Sequence, residues 1–340
     1  MSRPLITVGI PTYNRLRMLR RAVESALAQD CGDVEVLIAD NASTDGTEDY
    51  CRAIAEREPA ICYIRHSVNR GPTANFNSVL RQARGGHFLF LSDDDWLDPS
   101  YGSRCLEWLR AHPDHAMVSG RPHYVRDDGA TAGGRPIDLP QTTSARRVHA
   151  YLRDVDDGAA IYGVIPRAIV DRVSDIRNVT GNDWLFVAEI AALGKVATLP
   201  DVRLHRSLGG TSASYRKLAA TLELPTVQSI LPFVTIWFVF VADLLWRSPA
   251  HRATMRLSER GILALLCGAS MARRQLWLWV MGLGRCPLTA PPYRMLKGLY
   301  LLLERWTGGQ VTLRFPGHST VAVQPAEDAP VSAEADEPTR

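Results

Sequence analysis

The chain has 340 residues, 46% of them hydrophobic, enough to bury a full core and long enough for a catalytic domain with an appendage. Six cysteines (Cys31, Cys51, Cys62, Cys105, Cys267 and Cys286) lie scattered, without a C-x-x-C pair or a His-spaced metal pattern, which excludes a zinc module and reads as reduced core thiols of a cytosolic protein. The net charge of +3 conceals an asymmetry: residues 325–340 carry five acidic groups against Arg340, a balance of −4, so residues 1–324 hold +7, and from Arg247 to Arg305 ten Lys or Arg face two Glu, giving +8.

The first residues enter a strand pattern at once and lack the long apolar run of a secretory signal, so export is not expected. Leu5 to Ile10 reads as a strand ending at Pro11. Asn14 then caps a helix whose apolar positions Leu16, Leu19, Val23, Ala26 and Leu27 recur at helical spacing. The unit repeats as a strand over Val34–Ala39 ending at Asp40, a helix over Thr47–Arg57, a strand over Ile61–Arg65 and a helix from about Thr73 to Ala83 that stops at Gly85-Gly86. Phe88–Leu91 is the fourth strand. This alternation predicts a mostly parallel sheet covered on both faces, in which ligands bind outside the carboxyl ends of the strands. Thr12-Tyr13-Asn14, Asp40-Asn41 and Asp93-Asp94-Asp95 occupy those ends.

Residues 127–143, rich in Gly, Pro and Asp, read as a mobile loop over the site. Ala159–Ile165 is strand-like, Asn182–Leu193 a helix opening with Asp183, and Lys195–Arg206 a strand carrying His205, followed by a Gly209-Gly210 turn. Residues 229–246 are the most apolar stretch, barely long enough to span a bilayer and interrupted by Pro232 and Asp243, which fits a buried or interfacial helix better. Ile262–Ala272 and Leu276–Leu283 are shorter apolar runs separated by Arg273-Arg274-Gln275. With Trp246, Trp277, Trp279, Tyr293 and Trp306, the basic excess of this region suits a peripheral site on an anionic membrane face. The tail from Pro325 has a disordered composition.

Three consecutive carboxylates at the end of an apolar strand repel one another and call for a cation or a diphosphate-bound metal, which places the chemical centre at positions 93–95. Val8–Arg15, Ala39–Thr47, Asn69-Arg70-Gly71 and Leu91–Trp96, in this order and spacing, resemble the family 2 glycosyltransferases with the GT-A fold, over about residues 4–210. The resemblance implies an α/β fold with a Rossmann-like, mostly parallel sheet flanked by helices and, here, a helical C-terminal extension. It divides the chain into a catalytic domain (1–215), a helical, basic and aromatic extension (216–310), and a strand-like segment with an acidic tail (311–340).

The resemblance also assigns roles. A nucleoside-diphosphate sugar donor would lie against Pro11, Thr12, Tyr13, Asn14, Asp40, Asn69, Arg70, Asp93 and Asp94, with Asp40 on the base and Asp93 on the ribose. Mg²⁺ or Mn²⁺ would sit on Asp95, with Asp93 and His205 as further metal candidates and Asp94 between the two roles; hard oxygen ligands select such ions. Asp183 would be the general base of an inverting transfer to a hydroxyl, although the family's Glu-Asp pair is Asn182-Asp183 here.

Each role has a plainer counterpart in the residues themselves: an Asx turn for Asp40, a solvated cation for Arg70, a helix-dipole carboxylate for Asp183, a half-exposed strand histidine for His205. Trp96 either packs behind the acidic loop or lines the acceptor pocket. The Arg15, Arg17, Arg20, Arg21 run reads as a solvated helix face, and no nucleic-acid partner is expected. The processive Q-x-x-R-W motif is approached by Leu302–Trp306 without its Gln, which favours single-sugar transfer. The expected setting is the cytoplasmic face of the plasma membrane, with a glycan or lipid-linked acceptor in cell-surface polysaccharide synthesis. The competing readings are a sugar-phosphate nucleotidyltransferase, which would need a Gly-rich basic loop after the first strand, and a non-catalytic membrane-docking scaffold.

Overall fold

A computed structural model describes residues 4–126, 128–207 and 214–283. The first half alternates strand and helix: β1 (Ile6–Thr12), α1 (Leu16–Leu27), β2 (Val34–Asp40), α2 (Thr47–Arg57), β3 (Ile61–Arg65), α3 (Pro72–Gln82) and β4 (His87–Phe90). There follow β5 (Trp96–Leu97), α4 (Tyr101–Ala111), β6 (His115–Val125), β7 (Thr131–Gly133), α5 (Ser144–Asp154), β8 (Ile165–Pro166), α6 (Arg167–Val170), α7 (Asn182–Leu193) and β9 (Lys195–Ser207). The described C-terminal part is helical: α8 (Tyr215–Thr221), α9 (Thr226–Ile230), α10 (Pro232–Ala242), α11 (Pro249–Thr254) and α12 (Leu257–Leu283).

Two sheets result. One has the order β3-β2-β1-β4-β8, parallel throughout except for β8, and the other the order β5-β9-β6-β7, in which only β6 and β9 run parallel. The residues of β1 and β4 are almost wholly buried, as expected for strands with helices on both faces. The strand pattern continues through Pro11 to Thr12, in register with Ala39 and Asp40, so the first two polar clusters end level with each other.

Four expectations are corrected. Asn14 does not cap α1: it adopts φ 52 and accepts from Thr44 N, while Asp45, from the loop before α2, receives Leu16 N on one oxygen and Thr47 N on the other, tying the starts of α1 and α2 together. Ala159–Tyr162 is a 3-10 turn, a short apolar run that periodicity alone cannot tell from a strand. Within 127–143, β7 pairs with β6 and buried Leu139 bridges Val196, so this stretch extends the second sheet. Residues 262–283 belong to one helix, because Arg274 and Gln275 turn inward: Arg274 lies 5.2 Å over Trp184, and Gln275 accepts Phe233 N and donates to Ile230 O.

Helix α7 is buried on nearly all sides, and both ends are fixed. At its C-terminus the buried Arg147 donates to the carbonyls of Ala191 and Ala192, groups that the helix itself leaves unpaired. At its N-terminus Gly181 has φ 72, and a Cβ there would come within 2.5 Å of Ile236 on α10. The C-terminal helices are thus packed against the element that presents Asp183. Four cysteines are buried and Cys62 is half-buried, all free thiols; Cys286, the Gly209-Gly210 turn, Tyr293, Leu302–Trp306 and the acidic tail lie outside the described residues.

Candidate active site

The polar ends of β1, β2 and β4 meet as the topology requires. Asn41 N donates to Thr12 O at 3.0 Å, and Asn75 bridges the carbonyls of Thr12 and Ala39 at 3.2 and 2.9 Å. Asp40 is fully buried, with one oxygen receiving Ser43 N and the other the Tyr63 hydroxyl, each at 2.9 Å, and Arg65 lies 3.4 Å away. It therefore performs the anchoring role of an Asx turn. Asn41 joins the loop after β3 by donating to Asn69 Oδ1 and accepting Arg70 N; the Arg70 side chain is exposed. Pro11 and Thr12 are buried, and Tyr13, 43% exposed, presents the accessible ring of this cluster.

The charge of the acidic loop is balanced from within the chain. Every oxygen of the three carboxylates has a protein donor. Asp93 accepts Thr12 Oγ1 at 2.8 Å and Arg15 at 3.2 Å; Asp94 accepts Ser92 Oγ and the same Arg15 guanidinium, both at 2.6 Å; Asp95 accepts Ser207 N at 3.0 Å and Arg206 Nε at 3.2 Å. Arg15 and Arg206 are the counter-ions. Burial nevertheless raises the carboxyl of Asp93 to about 7 against the pull of Arg15, and that of Asp95 to about 6 against the pull of Arg206.

The run of Arg15, Arg17, Arg20 and Arg21 is a solvated face only in part: Arg17, Arg20 and Arg21 are exposed, while Arg15 is half-buried against the acidic loop. Arg21 donates to Asp94 O and Ser207 Oγ and lies 3.5 Å over the Trp96 ring, whereas Arg20 lies over Tyr50. Trp96 also stacks on His205, with ring centroids 5.0 Å apart and planes nearly parallel, so it packs behind the loop. His205 Nε2 is 2.7 Å from Asp98 Oδ1; that nitrogen is engaged by Asp98 and buttresses the loop.

Asp183 opens α7 with Oδ1 accepting Trp184 N at 2.9 Å. Its other oxygen fills the space above Gly158, where a Cβ would overlap it. Burial raises its carboxyl above the usual range, offset in part by Trp184 N and Arg206. Arg206 joins the two halves: beyond Asp95, it faces the rings of Tyr162 at 5.0 Å and Tyr124 at 5.7 Å, and the Tyr124 hydroxyl donates to Asp157, next to Gly158. Burial disfavours this guanidinium, yet Tyr162, Asp95, Tyr124 and Asp157 outweigh it and hold it charged.

No cluster of three His, Cys, Asp or Glu side chains arranged for a metal occurs among the described residues. The donor chemistry still fits a hard divalent ion, since two buried carboxylates with raised proton affinity would favour a cation, and one or two carboxylates suffice where phosphates complete the shell. A groove of about 340 Å³ lined by Leu5, His87, Leu109 and Pro166 sits at the amino ends of β1 and β4, opposite this cluster.

Residues 7–173 match the sequence profile of glycosyl transferase family 2. This segment belongs to the family. Rv1520, an uncharacterised protein of Mycobacterium tuberculosis, is 31% identical over 216 residues, 61% of this chain and 57% of its own length, so the chain spans little more than half of that relative. A Campylobacter jejuni GalNAc(5)-diNAcBac-PP-undecaprenol beta-1,3-glucosyltransferase is 35% identical over 118 residues, 34% of this chain and 38% of that protein. Among solved structures, a mannosyltransferase from Pyrobaculum calidifontis in complex with GDP-Man and Mn²⁺ superposes with TM-score 0.50 at 19% identity, covering 90% of this chain and 81% of the other. S. aureus TarS 1-349 in complex with UDP-GlcNAc superposes with TM-score 0.51 at 18% identity, covering 87% and 91%. These likenesses establish the GT-A-type fold.

Within this family 2 domain, sequence reasoning located the three clusters and Asp183 but missed Arg206, Tyr124, Asp157 and Gly158. Their roles depend on contacts between β6, β9 and the loop before the 3-10 turn, which no local motif announces. A basic residue beside His205 was the single signal.

Proposed function

We propose that the protein transfers a glycosyl group from a nucleoside-diphosphate sugar to a hydroxyl with inversion. The observation that supports this most is the arrangement around Arg206, which connects the acidic loop at the end of β4 to Asp183 at the start of α7. In this reading the acceptor oxygen attacks the anomeric carbon, the bond from that carbon to the diphosphate oxygen breaks, the electron pair leaves with the nucleoside diphosphate, and the acceptor proton passes to Asp183. Pro11 to Asn14, Asp40, Asn69, Arg70, Asp93 and Asp94 bound the donor. Asp95, with Asp93 beside it, would hold Mg²⁺ or Mn²⁺, which neutralises charge developing on the leaving diphosphate; His205 supports that loop through Asp98. Gly158 and the packing of α10 keep Asp183 in place.

The acceptor we propose is a glycan or lipid-linked hydroxyl at the cytoplasmic face of a membrane, with one sugar added per encounter, as a step in cell-surface polysaccharide synthesis. No described helix is long and apolar enough to cross a bilayer. The outward side of α12 is apolar, with Ile262 60%, Leu265 74% and Leu266 47% exposed, and Arg256 and Arg273 are exposed on the same helix region, a combination that supports shallow binding to anionic lipid.

Thermal shifts with UDP, GDP and their sugars in the presence of Mn²⁺ test the donor half. Stabilisation by one nucleotide, and its release as the diphosphate from the sugar donor, is expected. Absence of both in folded protein would favour the scaffold reading, and pyrophosphate formed from a sugar phosphate and a nucleoside triphosphate the nucleotidyltransferase. Flotation with anionic and neutral vesicles tests the membrane half: Leu265→Glu is expected to reduce recovery on anionic vesicles, and unchanged recovery would exclude this face.

A further inference from the structure

Asp95 already has a resident cation. It is 2% exposed, and Arg206 Nε and Ser207 N occupy its two oxygens. Arg206, near the end of β9, extends its guanidinium over the Tyr162 and Tyr124 rings, and through Tyr124 and Asp157 its position is tied to Gly158, the residue against Asp183. A divalent ion on Asp95 and a guanidinium 3.2 Å from the same carboxylate repel each other strongly in such a setting. They cannot share that oxygen at full strength.

We propose that Arg206 is a built-in placeholder for the metal: it neutralises Asp95, must give up that oxygen when a metal–diphosphate pair arrives, and transmits the displacement through Tyr124 and Asp157 to the seat of Asp183. This rests on the assignment of Asp95 to the metal. It makes Arg206 a positioning residue with two consequences. Metal alone binds weakly, because it must evict a cation; metal and nucleoside diphosphate bind together, because the diphosphate gives the displaced guanidinium a new anionic partner. The same step reaches the base only once the donor has arrived, so donor binding precedes productive acceptor binding.

Electron paramagnetic resonance of Mn²⁺ with the full chain, alone and with UDP or GDP, tests this for wild type, Arg206→Gln and Arg206→Lys. Loss of a hydrogen bond to a charged partner sets the expected size: Arg206→Gln binds Mn²⁺ alone about ten- to a hundredfold more tightly than wild type and gains less from nucleotide. Arg206→Lys, which keeps the charge without the planar Nε–H, falls between them and carries the test if the Gln variant does not fold. An arginine that merely braced the loop would act in the opposite direction, since its removal would loosen Asp95 and weaken Mn²⁺ binding. Variants that bind Mn²⁺ no more tightly than wild type overturn the proposal. Failure of wild type and variants alike to bind Mn²⁺ with any nucleotide overturns instead the assignment of Asp95, and the placeholder with it.

Discussion

Asp183 has its second oxygen set against Gly158, which makes a small change at 158 a direct probe of the base. Gly158 has φ −91, a conformation open to alanine, so Gly158→Ala introduces a methyl without backbone strain. That methyl would displace Asp183, and we expect kcat to fall about ten- to a hundredfold, the usual cost of a misplacement on the order of 1 Å, with donor binding unchanged. A wild-type kcat for Gly158→Ala would separate this contact from catalysis. The raised carboxyl of Asp183 also has a pH signature. A base works ionised, so raising its proton affinity moves the acid-side loss of rate upward: kcat should fall, as pH decreases, at a pH above the ~3.9 of an ordinary aspartate. A pH–rate profile with its acid limb at that ordinary value would contradict the burial seen here.

The C-terminal helices carry a buried polar cluster with a consequence for stability. Asp243, at the end of α10, pairs with Arg177 at 2.6 Å, and His251 on α11 is 1% exposed with both ring nitrogens lacking a partner among the described residues. Burial, reinforced by Arg177 and Arg260, lowers the His251 imidazole to about 3. The unfolded chain takes up this proton near pH 6.5 and the fold does not, so stability is lost as pH falls from there toward 3. At pH 5 the loss is about 2 kcal/mol. Asp243, raised to about 7 chiefly by burial, acts in the opposite sense, with stability lost as pH rises from the unfolded carboxylate range toward 7. We therefore expect His251→Leu to gain stability relative to wild type as pH falls, by about 2 kcal/mol between pH 7.5 and 5, measured by urea unfolding across that range. A curve parallel to wild type would show that His251 does not remain neutral in the fold.

For the whole molecule, the parallel half was legible because each strand and helix there obeys its own period, and the polar residues at the strand ends follow from topology alone. What stayed hidden was long-range. Arg15 and Arg206 reach the acidic loop from 79 and 111 positions away, so the charge balance of that loop could not be read from its neighbours in sequence. Arg273-Arg274-Gln275 looked like a break because two of its three residues turn inward onto Trp184 and the start of α10, a burial no polar string announces. The same contacts mean that the C-terminal helices support the catalytic domain rather than trail from it.

The central claim is that Asp183 takes the acceptor proton while Asp95 serves the donor. It is tested most directly by measuring sugar transfer and Mn²⁺-dependent nucleotide binding side by side for Asp183→Asn and Asp95→Asn. Asp183→Asn should bind nucleotide as wild type does and lose transfer by a factor of about 10² to 10⁴, the usual worth of a general base, and Asp95→Asn should lose the metal-dependent part of binding. Transfer by Asp183→Asn at the wild-type rate would contradict the account.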